Sequence, residues 1–381
     1  MTGSVQIKNN KFYMVLNYKD ATGKKKLKWI KTGLDVKGNR RKAEQLLRKT
    51  LQEYEERENC ISTDILFSEY IKIWLERKKS RIDIVTYQGY LVVATRMIIP
   101  YFEQRKEKLT DVTRRMLQAY FDELYNTGHT RYGKPLSVTS IRRYKNIINQ
   151  TLNEAVKDDL IPSNPCLYVE LPKSEKFPAN FYNANQIKAL FAAIKGDVLE
   201  NLIKITVLYG LRRSEVLGIK WDSIDFESRR LEIKHTVVTV LTQVEKDKTK
   251  NSSSHRSFML TPEAMAIFEE EQRKEEENRE LFGDDYIESE YVFKWDNGKP
   301  FSPDYVTGHF DKLLKKNDLP HIRFHELRHS CASLLLNNGY TLKDVQEYMG
   351  HANIKMTADI YGHLDSLRKN VLTEGIAENI F

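Results

Sequence analysis

The hydrophobic period of this chain changes three times, and those changes limit what it can fold into. Residues 5–33 read with period two. Val5-Gln6-Ile7 alternates, Phe12 to Tyr18 is rich in β-forming side chains, Lys19 to Gly23 supplies a turn, and Lys26 to Thr32 alternates charged with mostly apolar residues. Gly38-Asn39 then breaks the pattern. From Arg41 to about Glu58 the apolar residues Ala43, Leu46, Leu47 and Leu51 recur at helical spacing. Helical patterns continue to the end with one exception. Between Arg230 and Leu260, Leu231-Glu232-Ile233 and Ser257 to Leu260 bracket a β-rich region, with a polar hairpin or loop expected from Glu245 to His255. The fold class predicted is multidomain: a small three-stranded β-sheet plus helix, an all-helical unit, and a mainly α unit with a small β-sheet.

A length of 381 residues fits two or three domains with real cores. Five segments are predicted: 1–60, 61–168, a linker at 169–182, 183–365, and a tail at 366–381. In the second segment helices are expected over Ile65 to Leu75, Val85 to about Phe102 (stopping near Pro100), Asp111 to Asn126 and Ser137 to Asp159. The linker holds two prolines and little periodicity.

Charge is segregated. The chain carries a net +8, yet residues 1–50 alone hold 14 Lys/Arg against 3 Asp/Glu, so the rest is slightly acidic in sum. A basic end of this density is the footprint of a nucleic-acid-binding module, with a merely solvated surface as the alternative. Lys26, Lys28 and Lys31 are expected near one another on its surface, though not in strict period two. Arg142, Arg143 and Lys145, on the last helix of the second segment, could also contact phosphates, or be only solvated. No run of about eighteen apolar residues marks a membrane span. The N-terminus lacks a signal-peptide plan, and no amphipathic helix with a large apolar face suggests a membrane surface. Three cysteines, Cys60, Cys166 and Cys331, are odd in number and far apart. They fit a reducing cytoplasm and argue against a disulfide framework or a zinc site.

The residues able to do chemistry gather late. They are Gly210-Leu211-Arg212-Arg213-Ser214-Glu215, then His325-Glu326-Leu327-Arg328-His329, Gly350-His351 and Tyr361. Arginine neutralises the nonbridging oxygens of a phosphodiester well, because its fork binds two oxygens and keeps its charge. Glu215 or Glu326 could instead be simple structural partners for Arg212 and Arg328. His325 and Arg328, three apart, share a helical face, and imidazole is the natural proton carrier near neutral pH. His325 and His329 also fit the zinc pattern HExxH literally, so a zinc protease is an alternative. The absent third ligand, the basic N-terminus and the arginine inside the motif all fit it poorly. Tyr361 is one of 20 tyrosines, but it follows a glycine-histidine turn in a late segment that could carry a phenol to phosphorus.

The ordered set Gly-Leu-Arg-x-Ser-Glu, a hairpin lysine, His-x-Leu-Arg-His, Gly-His and Tyr resembles the tyrosine recombinases, the phage-type integrases. The resemblance is strongest over residues 183–365 and extends over nearly the whole chain. It implies an arm-type DNA-binding domain at 1–60, a core-binding domain at 61–168 and a catalytic domain at 183–365. Tyr361 would then attack the scissile phosphate, forming a 3′-phosphotyrosyl bond and freeing a 5′-hydroxyl. Arg212 and Arg328 would hold the nonbridging oxygens, His325 would move the tyrosine proton, His351 would hydrogen-bond the phosphate and Glu215 would orient Arg212. Lys248 is the expected general acid, with Lys246 and Lys250 as competitors. The implied activity is site-specific integration and excision of a mobile element, without metal or cofactor. The implied partners are double-stranded DNA, a tetramer of the chain on it, and accessory excision and DNA-bending proteins. The tail would dock on a neighbouring subunit, and the protein would work in the bacterial cytoplasm on DNA. A type IB topoisomerase-like enzyme and a non-catalytic DNA-binding regulator are the alternatives.

Overall fold

A computed structural model describes residues 2–19, 25–59, 64–128, 135–173, 180–240, 242–246 and 256–351. The chain divides into two compact units, residues 1–175 and 176–381. Among the described residues no helix is long and apolar enough to cross a membrane.

The first unit opens with an antiparallel sheet in the order β1 (Thr2–Lys8), β2 (Lys11–Lys19), β3 (Lys25–Asp35). Asn9 and Asn10, with φ of 51° and 57°, form the two-residue turn between the first strands, a conformation asparagine tolerates. Phe12, Met14 and Leu16 are buried on one face, under α1 (Arg40–Asn59). Thr50 Oγ1 of that helix lies 3.7 Å from Met14 Sδ, and Gly3 admits it closely, since a Cβ there would sit 2.8 Å from Leu47 Cδ1. Register corrects one expectation. Lys28 pairs with Leu16 and Ile30 with Met14, so Lys26 and Lys28 lie on the α1 side, whereas Lys31 pairs with Tyr13 and shares the opposite face with Trp29. Period-two alternation separates the third lysine from the other two. On that opposite face the Tyr13 and Trp29 rings meet edge-on at 6.1 Å, and Lys8 Nζ stands 5.8 Å from the Trp29 ring centre.

The rest of the unit is helical: α2 (Phe67–Lys79), α3 (Ile84–Val93), α4 (Ile99–Arg105), α5 (Arg114–Asn126) and α6 (Val138–Lys157). They close on an aromatic-rich core that includes Phe67, Trp74, Phe102, Tyr120 and Phe121. The helix expected from Val85 to about Phe102, stopping near Pro100, passes Pro100 and runs to Arg105, ending at Lys106, which adopts φ 51°. A single π-helical turn, Ala94–Ile98, explains how. The π turn shifts the hydrogen bonding by one residue, the Ile99 N–H donating to the Ala94 carbonyl, and Pro100, which has no N–H to give, follows directly.

The second unit contains α7 (Ala184–Ala193), α8 (Glu200–Tyr209), α9 (Arg213–Val216), α10 (Pro262–Phe282), α11 (Pro303–Lys316), α12 (Glu326–Asn337) and α13 (Leu342–Met349). The β-rich region holds β4 (Ile224–Asp225), β5 (Arg230–Glu232) and β8 (Ser257–Met259) in one antiparallel sheet, and a hairpin of β6 (Thr236–Val240) with β7 (Thr242–Lys246). The core gathers Leu202, Ile205, Leu231, Phe258, Phe268, Phe310 and Leu327. At the start of the unit the Tyr182 N–H donates to Ser330 Oγ at 2.8 Å, pinning the chain to α12. Cys166 and Cys331 are free and buried, while Cys60 lies outside the described residues.

Candidate active site

Two helix ends and one helix start make the site. Helix α8 ends at Gly210, whose φ of +58° turns the chain sharply and delivers Arg212 as the cap of α9. Helix α13 ends the same way at Gly350, φ +63°, and delivers His351. Helix α12 starts just after His325 and carries Arg328 one turn in.

Glu215 sits at the centre and is 2% exposed. Its Oε1 accepts from Arg212 Nη1 at 2.5 Å, and its Oε2 accepts from the Arg212 backbone N–H at 2.9 Å. Arg256, at the foot of β8, also donates to it, with Nη2 to Oε2 at 2.9 Å. Arg328 Nη1 stands 3.9 Å from the same Oε2. Burial raises the energy of the carboxylate, but the Arg256 charge and then the Arg212 charge outweigh this and hold its pKa below the usual carboxylate range.

Three guanidiniums therefore surround one carboxylate, leaving an excess of positive charge in a poorly solvated place. Arg328 is the most enclosed, 1% exposed; it donates to the Gly210 carbonyl at 2.6 Å and to the Met349 carbonyl. Burial and then the Arg212 charge push it down to about 9, which still leaves it protonated at neutral pH. Arg212 is more open, its side chain 29% exposed, and its Nη2 donates to the Gly350 carbonyl at 3.1 Å. Thus the carbonyls of both helix-ending turns are held by the two arginines. The adjacent Arg213 points elsewhere, to the Pro303 carbonyl and Thr307 Oγ1.

The histidines are kept neutral. Burial and then the Arg328 and Arg212 charges push His351 down to about 3. Burial, followed by the His329 and Arg328 charges, pushes His325 down to about 4, although the residue keeps an exposed surface. The His325 and His329 rings meet edge-on at 5.1 Å. Glu326, which a zinc protease would need as a base, is tied back to Arg323, accepting from its backbone N–H at 2.6 Å and its Nε at 3.1 Å. Among the described residues no group of three His, Cys, Asp or Glu is placed to hold a metal.

The structure thus brings Arg212, Glu215, Arg328, His325 and His351 together. Lys248, Lys250 and Tyr361 lie outside the described residues, as does the tail 366–381. Lys246 ends β7, paired with Thr236. Sequence reasoning missed Arg256. Its partner is 41 residues away, and no local spacing reveals such a pair. In the first unit Arg142 and Arg143 are exposed, the Arg143 guanidinium lying over Gly89. Lys145 is half-buried and donates to the Val169 carbonyl.

Comparison with known proteins bears on this arrangement. Residues 180–368 match the model of the phage integrase family, and residues 66–170 match the phage integrase SAM-like domain. The chain is 27% identical over 335 residues to a XerC-like tyrosine recombinase of Caldanaerobacter subterraneus subsp. tengcongensis, covering 82% of each. It is 25% identical over 332 residues to the ICEBs1 integrase of Bacillus subtilis, covering 86% of this chain and 87% of that one. A solved structure of the Tn1549 transposon integrase in complex with transposon right end DNA shares its fold, with a TM-score of 0.65 at 22% identity, over 81% of this chain and 99% of that one.

Proposed function

This chain belongs to the tyrosine recombinase family, the phage-type integrases, and from that premise we propose how its residues perform site-specific cutting and rejoining of DNA. The observation that carries the proposal is the buried Glu215 shared by Arg212, Arg256 and Arg328 beside two neutral histidines. An excess of fixed cations, preorganised by backbone carbonyls and one carboxylate, is suited to a phosphate whose charge grows in the transition state.

Tyr361 attacks the scissile phosphorus. Its Oη–P bond forms as the P–O5′ bond breaks, giving a 3′-phosphotyrosine and a 5′-hydroxyl. Neutral His325 accepts the phenol proton, and a lysine, assigned to Lys248 with Lys246 and Lys250 as competitors, donates a proton to the leaving oxygen. Arg212, the open arginine, meets a nonbridging oxygen. His351 donates an N–H to the phosphate. Arg328 supplies its charge from beneath, and its direct contact with the phosphate requires the Met349 to His351 turn that it holds to shift. Attack by a 5′-hydroxyl of another strand reverses the step and joins the DNA, so the bond energy is conserved and no cofactor is consumed.

Residues 1–60 serve as an arm-type DNA-binding domain, 61–168 as a core-binding domain, 169–182 as a linker and 183–365 as the catalytic domain. Lys26, Lys28, Lys31, Arg142 and Arg143 contact DNA phosphates; Lys145 joins them only by leaving the Val169 carbonyl. Exchange between two duplexes needs about four copies, with the tail 366–381 docking between subunits. Accessory excision and DNA-bending proteins assist, and the work is done in the bacterial cytoplasm on a mobile element. The test is direct. Nicked duplexes from the junctions of the element are incubated with the protein in EDTA, denatured, and searched for a covalent adduct by peptide mapping. A nucleotide on Tyr361, lost in Tyr361→Phe, is expected. Tight binding without any adduct would overturn the reading.

A further inference from the structure

Arg256 belongs to none of the motifs that the sequence displays. It stands immediately before β8, its carbonyl accepting the Ile233 N–H at 2.9 Å. Its guanidinium runs inward, with Nη2 at 2.9 Å from Glu215 Oε2 and Nη1 at 3.4 Å from Oε1. The side chain is 9% exposed, whereas that of Arg212 is 29% exposed. Two arginines thus hold one carboxylate from different sides. Arg212 is therefore the more open of the two to an incoming anion, and Arg256 the more enclosed.

The geometry divides the labour between them. A carboxylate gripped by one mobile arginine can rotate about its last torsion, which is broad, and the arginine turns with it. A second fork across both oxygens fixes the plane. Glu215 Oε1 takes the Arg212 Nη1 and Oε2 takes the Arg212 backbone N–H, so fixing that plane fixes both the side chain and the backbone of Arg212. Charge agrees with this arrangement: against the cost of burial, the Arg256 and Arg212 charges together hold the Glu215 carboxyl in its ionised form.

We propose that Arg256 is a positioning residue for strand cleavage, clamping the Glu215 carboxylate so that Arg212 stays aimed at the scissile phosphate and linking that aim to the edge of the β5–β8 sheet. The proposal rests on the reading of the site as a recombinase centre given above.

A mutant cycle on the full chain tests it. Wild type, Arg256→Gln, Arg256→Lys, Glu215→Gln and the double variant Arg256→Gln/Glu215→Gln are compared. The probes are a nicked duplex from the element's own junctions, for the single-turnover rate of adduct formation, and the same duplex without the nick, for Kd. Arg256→Gln should slow adduct formation by about 10- to 100-fold, the loss appropriate to a charge-assisted hydrogen bond, with Kd changed by less than about threefold. Arg256→Lys, which keeps the charge without the fork, should recover part of the rate. In the Glu215→Gln background the Arg256 substitution should cost almost nothing, since its partner is already gone. A merely structural role predicts additive losses instead. Undiminished cleavage by Arg256→Gln, a Kd that weakens as much as the rate, or full additivity would each overturn the inference. If Arg256→Gln melts too low to assay, the Lys variant carries the test, and wild-type cleavage by it would overturn the clamp. Failure of the wild type itself to form an adduct would strike the recombinase reading, which separates the two failures.

Discussion

Glu215 is 2% exposed and faces three guanidiniums, so its charge cannot be removed cheaply. Glu215→Gln keeps the shape but leaves buried cations uncompensated. Breaking a buried ion pair this way costs about 3–5 kcal/mol. Urea unfolding of the full chain should show a loss of that order; a loss under about 1 kcal/mol would mean that the arginines find other partners. The histidines add a pH dependence whose sign is fixed. His351 is 6% exposed, and its pKa falls from 6.5 in the unfolded chain to about 3 in the fold. The unfolded chain therefore takes up a proton that the fold refuses. Its contribution is fully present above pH 6.5 and is lost as pH falls toward the folded value. Glu215, with its folded pKa depressed, acts in the same direction at lower pH. Unfolding midpoints should therefore decline between pH 7.5 and pH 5, and His351→Gln should flatten that decline. An equal slope in the variant would remove His351 as the cause.

The helix ends shape the site, and Gly210 shows how tightly. It ends α8 at φ +58°, and its carbonyl accepts from Arg328. A Cβ there would sit 2.6 Å from Met349 Cε and 3.2 Å from Cys331 Sγ. Gly210→Ala should cost at least about 1 kcal/mol through the left-handed backbone alone. It should also slow cleavage, because the turn positions both arginines. A variant with wild-type melting and cleavage would show that the turn relaxes freely. At this scale much is legible in the sequence. The long helices announce themselves by periodicity, the three N-terminal strands by alternation, and the His325–Arg328 pair by its i,i+3 spacing. What stays hidden has physical reasons. A π-helical turn carries no sequence mark, so Pro100 reads as a stop. Strand register decides which face a lysine takes, and one residue of phase moves Lys31 away from Lys26 and Lys28. The Arg256–Glu215 bond joins positions that only the folded chain brings together.

At the scale of the whole molecule the asymmetry of charge gives the sharpest expectation. Residues 1–50 hold 14 Lys/Arg against 3 Asp/Glu, while the chain as a whole carries only +8. The sheet and α1 bury their own side chains, Phe12, Met14, Leu16 and Ala43, and among the described residues the core of α2–α6 draws on none before Ile65. Removing residues 1–58 should therefore leave the helical and catalytic cores folded while removing most of the excess positive charge. Binding to outlying arm sites should be lost. Adduct formation at core sites should persist, because Arg212, Glu215, Arg256, Arg328, His325 and His351 all lie in the second unit. Salt dependence makes the expectation quantitative. Each phosphate neutralised by the protein adds roughly −0.9 to the slope of log K against log salt. The full chain on DNA bearing both kinds of site should therefore show a steeper slope than the truncated chain, by that amount for every phosphate that the basic module neutralises. Equal slopes would show that the basic residues are solvated and do not reach the DNA backbone. Disappearance of core cleavage in a truncated chain that still melts cooperatively would show instead that the N-terminal module is needed for the chemistry.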